Sequence, residues 1–222
     1  MIKKMRLSLL FLMFLGIKSY AQIDSLNTKG SYWEDQLYFG ITYNVLLGQP
    51  EGVEASNVSY GFSAGYIKDI PLNKEGTIAF GAGLGYSYDL YTHGLVVDDT
   101  SFFLNSEVNS NRFKTSNIEV PLQFRWRTSD AVTYAFWRVY FGVRVSYNFF
   151  NRFQYSLSGE DFEFTNLDTF NKFQTGLELS AGYGAFNFYA YYGLSPVFKD
   201  AFLDNERIDT KILKVGLIFY LL

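Results

Sequence analysis

Eight segments of the sequence place large apolar residues at every second position, with small or polar residues between them. These segments are 36–47, 58–66, 78–88, 116–129, 137–149, 172–183, 186–194 and 213–221. A period of two is typical of a β-strand with two unlike faces. The sequence therefore predicts an all-β fold. Eight is also an even number, as the closed antiparallel barrels of the bacterial outer membrane require.

The segment from Ser116 to Ser129 shows why this alternation alone does not say which face is inside. Its apolar parity consists of Ile118, Val120, Leu122, Phe124 and Trp126. Its polar parity includes Glu119, Gln123, Arg125 and Arg127. In a water-soluble sheet the apolar face would be buried, whereas in a membrane barrel it would meet lipid and the charges would face the lumen. The decision has to come from the rest of the chain.

The lengths of the connections decide between the two topologies. Short links join the second segment to the third, the fourth to the fifth and the sixth to the seventh. The other links are longer and polar: 48–57, about 92–111, 159–168 and 196–208. Alternating short turns and long loops are typical of outer-membrane barrels, with the short turns and both termini in the periplasm. We therefore predict an eight-stranded antiparallel up-and-down transmembrane β-barrel of the outer membrane over residues 36–222.

The N-terminus has the features of a secretory signal peptide. Basic residues precede an apolar run from Leu7 to Ile17, and small residues at Ser19 and Ala21 precede Gln22. The apolar run is too short to span a bilayer. We predict a signal peptide over 1–21 and a periplasmic tail over 22–35. The chain has no cysteine, which excludes both lipidation at cysteine and disulfide bonds.

Charge and aromatic content agree with a membrane location. Cleavage would remove four of the 19 basic residues and none of the 22 acidic ones, so the net charge would fall from −3 to −7. An acidic chain has no electrostatic footprint for nucleic acid. Aromatic residues make up 20% of the chain, including 18 Tyr and 23 Phe. Such residues are enriched where rings belt a bilayer.

Five charged residues take the inward parity of the predicted barrel: Glu119, Arg125, Arg138, Arg144 and Glu178. Side chains just fill the interior of an eight-stranded barrel. The second and third segments contribute glycine and serine inward, and the seventh contributes Tyr189 or Tyr191, so small residues face large ones. We therefore predict a plugged lumen. In it the charges form a paired structural network, not a proton or substrate path.

The register of the hairpin between the fourth and fifth segments sets which charges meet. With the turn centred near Ala131, Glu119 lies opposite Arg144, and Arg125 lies opposite Arg138. Like charges directly across a ladder repel. The two arginines therefore need a carboxylate, from Glu119 or from Glu178 of the sixth segment.

Pro121 lies between the polar residues of the fourth segment and has no backbone donor for the ladder, which predicts a local bulge. Replacing Glu119 by alanine is expected to leave Arg144 buried without its partner. The expected cost is about 3–5 kcal/mol in a dry lumen.

Trp126 and Trp137 flank the short turn between the fourth and fifth segments, and both take the outward parity. Tryptophan rings are enriched at the boundary between lipid and water. We therefore predict that these two residues lie at the bilayer interface.

Three further motifs have simpler explanations than the functions they suggest. The run GAGLGY, Gly81 to Tyr86, imitates a dinucleotide-binding loop, but no helix follows it, so inward glycines of a strand explain it better. His93, the only histidine, lies in a predicted outer loop near Asp89, Asp98 and Asp99. An acyl-transfer site or a calcium site is conceivable there, but the spacing matches neither. We expect no cofactor and no metal.

Several stretches resemble a known family. IEVPL, from Ile118 to Leu122, looks like the strand motif of a large family of small outer-membrane β-barrel proteins. VPLQFRWRTS followed by FWRVYFGVRVSY, with YGFSAGYIKDIPLNK and ITYNVLLGQPEG, resembles its PorT-like branch. The resemblance covers roughly 38–222. It implies an outer-membrane barrel needed by the type IX secretion pathway and supplies no catalytic residues.

Three classes of function follow. The first is a non-enzymatic accessory or assembly component of protein secretion, with membrane lipid and other secretion proteins as partners. The second is a small channel or porin, which a plugged lumen disfavours. The third is an outer-membrane lipid-modifying enzyme centred on His93.

Overall fold

The chain forms β-strands throughout the residues that the computed structural model describes. These residues are 35–49, 58–92, 95–98, 101–104, 108–128, 136–157, 159–199, 201–203 and 206–221. The strands are β1 (Gln36–Leu47), β2 (Tyr60–Pro71), β3 (Ile78–Thr92), β4 (Leu95–Asp98), β5 (Ser101–Leu104), β6 (Val108–Arg127), β7 (Trp137–Leu157), β8 (Glu160–Thr165), β9 (Phe173–Tyr183), β10 (Phe186–Gly193), β11 (Phe202–Leu203), β12 (Glu206–Arg207) and β13 (Lys211–Leu221). The predicted signal peptide, 1–21, and most of the predicted tail, 22–35, lie outside the described residues. No helix in the described part of the chain is long and apolar enough to cross a membrane.

Eight of the strands close into an antiparallel barrel. Their order around the barrel is β6, β3, β2, β1, β13, β10, β9 and β7, and a β6–β7 pairing completes the ring. The first and last strands pair from Leu37 opposite Leu221 to Leu47 opposite Lys211. All eight predicted strands are confirmed. Their ends lie within several residues of the predicted ends, except that β6 and β7 extend further at the loop end. The barrel ring therefore has no free edge.

The two faces of the barrel wall differ as the alternation requires. Leu37, Phe39 and Ile41 of β1 are about half exposed on the outside, and the same holds for the apolar parity of the other barrel strands. Arg125 and Arg127 point inward and are fully buried. The apolar face is therefore the outer face, which meets lipid, and the charged face lines the lumen.

The long connections contain more structure than the sequence predicted. Strands β6 and β7 run for 20 and 21 residues, well beyond the other barrel strands. Strand β8 pairs with the outer part of β7, and β4–β5 and β11–β12 form two small hairpins. The prediction of polar loops at about 92–111, 159–168 and 196–208 was wrong in these parts, because all three contain paired strands. Apolar residues of the second and third segments, such as Leu167, Phe198 and Leu203, pack together over the barrel mouth.

The opposite end carries the short turns. In the β2–β3 turn the Asn73 side chain donates to Thr77 Oγ1 at 2.7 Å and accepts from the backbone amide of Ile78 at 3.0 Å. Gly184 and Ala185 alone join β9 to β10, and Gly184 has a φ of 58°, which favours glycine. The prediction of short turns is confirmed at these two places. The third turn lies largely outside the described residues.

Asp35 ties the start of β1 to β2 at this end. Its carboxylate accepts hydrogen bonds from Lys68 Nζ and Tyr66 Oη, both at 2.7 Å, and from the Asp69 amide at 3.1 Å. Partial burial raises the pKa of the Asp35 carboxyl, but these hydrogen bonds outweigh it and hold the pKa below its usual value. The contact is half exposed, so its effect on stability is small.

Trp126 and Trp137 lie on the outer face near the turn end, 44% and 61% exposed. The Trp137 ring packs edge-on against Tyr183, with 5.6 Å between ring centroids. In a variant in which Trp33 is replaced by phenylalanine, we expect their fluorescence to be quenched most by lipids that carry the quencher near the headgroup. Quenchers deep in the acyl chains or dissolved in water should act less. A stronger effect of water-soluble quenchers in bilayers would contradict the assigned faces.

The closed ring predicts a change of mobility on heating. Because the barrel strands are paired on both sides, the ring cannot unzip from an edge in detergent at room temperature. The unboiled protein should therefore migrate differently from the boiled protein in a denaturing gel. Equal mobility before and after boiling would count against a closed barrel.

Candidate functional site

The lumen holds the buried charges of the barrel, arranged in three tiers along its axis. The lower tier, near the turns, is Asp69, Arg125, Arg127 and Arg138. The middle tier is Glu119, Arg144 and Glu178. The upper tier, near the long loops, is Asp89 and Lys214. All of these residues except Lys214 are buried, and Lys214 is nearly so.

The middle tier contains three of the five predicted network residues. Arg144 donates through Nε to Glu178 Oε2 at 2.8 Å and through Nη1 to Glu119 Oε2. Its Nη2 lies 2.6 Å from Glu178 Oε2. Gln123 Nε2 donates to the other oxygen of Glu178 at 2.9 Å, and Tyr189 Oη donates to Oε2 at 3.2 Å. One guanidinium therefore holds two carboxylates from two different strands.

The predicted register of the β6–β7 hairpin was wrong by two residues. Glu119 lies opposite Ser146, and Arg144 lies opposite Pro121. The centre of the hairpin is one residue further along the chain than predicted, and the period-two pattern cannot detect that shift. The Arg144 side chain still reaches Glu119, because diagonal neighbours across a ladder are within reach of long side chains.

The bulge expected at Pro121 is also absent. The pairing of β6 with both β3 and β7 keeps one register across Pro121, and the irregularities of the β6–β7 ladder fall between Val108 and Ser110 and between Ser116 and Asn117. Pairing with β3 is interrupted beside Pro121, where a ladder donor is missing. The proline therefore removes a contact without inserting a residue.

The lower tier is organised by Asp69, which is not among the predicted network residues. Its carboxylate accepts from Arg125 Nη1 and from Arg127 Nη2, both at 2.8 Å. Arg125 also donates to Gln36 Oε1 at 2.8 Å and to Gln123 Oε1 at 3.2 Å. The predicted segments leave Asp69 in the short link between the second and the third of them. Extending the alternation of the second segment beyond Tyr66 would have given it inward parity.

Arg138 opposes Arg127 across the ladder, and not Arg125 as predicted. Its guanidinium carbon lies 4.4 Å from the ring centroid of Phe136 and 5.8 Å from that of Tyr220. Within the described ranges no carboxylate lies at ion-pair distance from Arg138. Aromatic faces attract a desolvated cation, so the rings take the place of a counter-ion here.

The upper tier was likewise not foreseen. Lys214 Nζ donates to both oxygens of Asp89, at 2.8 and 2.7 Å. Asn44 donates to the same carboxylate at 2.9 Å, and Asn117 at 3.4 Å. The sequence predicts Asp89 near His93 in an acidic outer loop. That placement was wrong, because Asp89 is a lumen residue of β3.

The remaining motifs are His93 with its acidic neighbours and the GAGLGY run. His93 and Asp99 fall outside the described residues, and Asp98 belongs to β4. Among the residues that the structure does describe, no cluster of His, Asp and Glu has the arrangement of a metal site. The GAGLGY run stays within strand β3, which continues to Thr92, so it opens no helix that could bind a pyrophosphate.

Glycines make room for the large inward side chains. A Cβ added at Gly85 would collide with the Tyr38 hydroxyl, and one at Gly176 would collide with the Tyr191 ring. Small residues therefore face large ones across the lumen. Two cavities of about 10 Å³ each remain beside Glu119. Each has room for about one water molecule.

Above the upper tier, an apolar cap covers the lumen. Phe113 is its centre, with ring centroids of Phe170, Phe153 and Phe198 at 5.2, 5.9 and 6.0 Å. Two segments cross the barrel mouth, one between β8 and β9 and the second between β10 and β11. The backbone amide of Lys199 donates to the carbonyl of Thr169, and that of Val197 donates to the carbonyl of Thr210, both at 2.8 Å. The alternation pattern gave no sign of this cap, because Phe198 lies in a segment taken as a polar loop, and Phe113, Phe153 and Phe170 lie between the predicted strands and loops.

The comparison with protein families agrees with the barrel. The family described as outer membrane protein beta-barrel domain matches residues 20–199. Among solved structures, the attachment invasion locus protein Ail of Yersinia pestis is 16% identical, with a TM-score of 0.39, over 85% of this chain and 97% of that chain. The same protein in complex with the heparin analogue sucrose octasulfate is 14% identical, with a TM-score of 0.40 and the same coverage. The comparison with curated proteins found no match.

Proposed function

This chain belongs to the outer membrane protein β-barrel domain family, and on that premise we propose that it serves protein secretion as an accessory or assembly component of the type IX pathway. The protein is a closed barrel of the outer membrane. In this role it acts without catalysis, through its loops, its periplasmic turns or its lipid-facing wall. Other secretion proteins are its partners.

The filled lumen is the observation that carries the proposal. Arg125 and Arg127 are fully buried and pair with Asp69. The middle tier and the upper tier are each held together by their own ion pairs. A solute path would have to break these contacts and displace the apolar cap. The surfaces that remain for function are therefore the outer ones, as in a protein that works by contact with partners.

The sequence resemblance supports the choice of pathway. The stretch from Val120 to Ser129, followed by that from Phe136 to Tyr147, resembles the PorT-like branch of small outer-membrane barrels. Both stretches lie in the β6–β7 hairpin, which supplies all four arginines of the three tiers. The resemblance implies a role in type IX secretion.

The direct test compares secreted proteins with and without the gene. Deletion should remove type IX cargo from the medium and leave other outer-membrane proteins at normal levels, and the wild-type gene should restore the cargo. Variants of the lumen should lose secretion only in proportion to barrel abundance. Normal cargo secretion in the deletion strain would overturn the proposal.

Two further measurements separate the alternative functions. In planar bilayers the purified barrel should give no stable conductance steps, and steps that persist in pure preparations would favour a channel. The lipid A composition of a strain carrying His93→Ala should equal that of the wild type. A changed lipid A would favour a lipid-modifying enzyme.

A further inference from the structure

Two cations face each other on the outside of the barrel wall. Lys114 of β6 lies directly opposite Arg152 of β7 in the ladder. Their neighbours Phe113 and Phe153 point inward and are buried, so alternation puts both cations on the outer face. Like charges directly across a ladder destabilise a sheet. A pair of this kind on an outer surface indicates an anion that is bound from outside.

The pair lies at the height of the lipid headgroups. From Trp126 to Ile118 the tilted strand β6 rises by about 20 Å, and Lys114 lies about 10 Å higher still, with a rise of about 3.3 Å per residue and a tilt of about 40°. The apolar band of such a barrel is about 25 Å tall. Lys114 and Arg152 therefore lie roughly 5 Å above the band, on the loop side.

Among the described residues, the groups that contact these cations neutralise them only in part. Lys114 Nζ donates to the neutral Gln154 side chain at 2.9 Å. Arg152 Nε lies 3.4 Å from Glu163 Oε1, and this nitrogen is buried without a hydrogen-bond acceptor. Glu163 also accepts from Gln154 at 2.8 Å. Glu163 thus approaches Arg152 directly and Lys114 only through the neutral Gln154, so one carboxylate lies beside two cations.

A third cation extends the patch. Arg112 lies two residues beyond Lys114 on the same face, is exposed, and lines a groove of about 320 Å³ together with Gln154 and Glu163. The other carboxylate of this groove, Asp161, accepts a hydrogen bond from Ser156. Within the described ranges, three cations therefore face two carboxylates, and one of the two, Asp161, is engaged further up the strand.

We propose that Lys114, Arg152 and Arg112 form a binding site for the phosphate of an outer-leaflet lipid headgroup. The Arg152 side chain is 39% exposed, so a phosphate oxygen can reach its outer part and bridge to the opposed Lys114, which converts the repulsion into attraction to one shared anion. The position just above the apolar band selects a phosphate anchored in the membrane over one free in solution. The site fixes the height of the barrel in the bilayer.

The test measures binding of diphosphoryl lipid A to the detergent-solubilised, folded barrel. We expect Lys114→Gln and Arg152→Gln each to raise the apparent Kd roughly fivefold, and the double variant to combine both effects. Lys74→Gln, which makes the same charge change in a turn at the opposite end, should leave the Kd unchanged. Dephosphorylated lipid A should bind equally to the wild type and to the double variant.

The outcomes separate the alternatives. If inorganic phosphate in excess displaces lipid A from the wild type, the site takes free phosphate and the proposal fails. It also fails if the double variant binds like the wild type, or if Lys74→Gln weakens binding as much. Unchanged heat-modifiability confirms that each variant is folded. If the double variant does not fold, the Kd values of the two single variants decide whether the proposal holds.

Discussion

Replacing Arg144 by methionine should lower the free energy of unfolding by about 3–5 kcal/mol, because it leaves buried carboxylates without their cation. Arg144 is the only cation in the described residues that forms ion pairs with Glu119 and Glu178. Without it, two negative charges would share one side of a nearly dry lumen. Urea unfolding of the barrel in lipid vesicles, followed by the loss of heat-modifiability, measures the change.

Neutralising the two partners provides the matched control. Glu119→Gln and Glu178→Gln added to Arg144→Met should recover much of the loss, since no buried charge is then unpaired. Lys74→Met in the exposed β2–β3 turn should change stability by no more than about 0.5 kcal/mol. A stable and abundant Arg144→Met barrel that no longer supports secretion would contradict a structural role and make the middle tier a working site.

The same tier changes what Glu119 is expected to contribute. The sequence predicts that Glu119→Ala leaves Arg144 buried without its partner. In the structure Arg144 keeps Glu178, through Nε at 2.8 Å and Nη2 at 2.6 Å. The loss in Glu119→Ala should therefore be smaller than in Arg144→Met.

Replacing Phe113 by alanine should cost about 3–5 kcal/mol, the range for removing a fully buried aromatic ring. Phe113 contacts rings from β7 and from both segments that cross the mouth. Its loss should loosen these segments before the barrel ring opens. Trypsin should then cut the folded protein faster after Lys199, which is exposed in the second crossing segment.

A lipid-facing phenylalanine serves as the control for this cut. Phe149 is about half exposed on the outer face of β7, so Phe149→Ala should leave the rate of cleavage after Lys199 near that of the wild type. Cleavage after Lys199 that is equally slow in Phe113→Ala would mean that the cap does not depend on its central ring. Both variants should remain heat-modifiable at room temperature.

The strands and their faces could be predicted from the sequence alone. Alternation is a local property, so each segment indicates by itself which residues share a face, and the eight segments correspond to the eight barrel strands. The inward parity of Glu119, Arg144 and Glu178 followed from the same rule. The contact among these three residues agrees with their inward parity, because the lumen of an eight-stranded barrel is so narrow that inward side chains reach one another.

Which inward residues meet was decided only by the tertiary structure. Register depends on the geometry of the turn, and a shift by two residues keeps every side chain on its predicted face, so alternation could not detect it. Contacts across the lumen depend on strand tilt and stagger, which bring Lys214 to Asp89 and Arg125 to Gln36 from far apart in the chain. The cap around Phe113 depends on how the long connections fold back over the mouth. These arrangements exist only once the ring has closed.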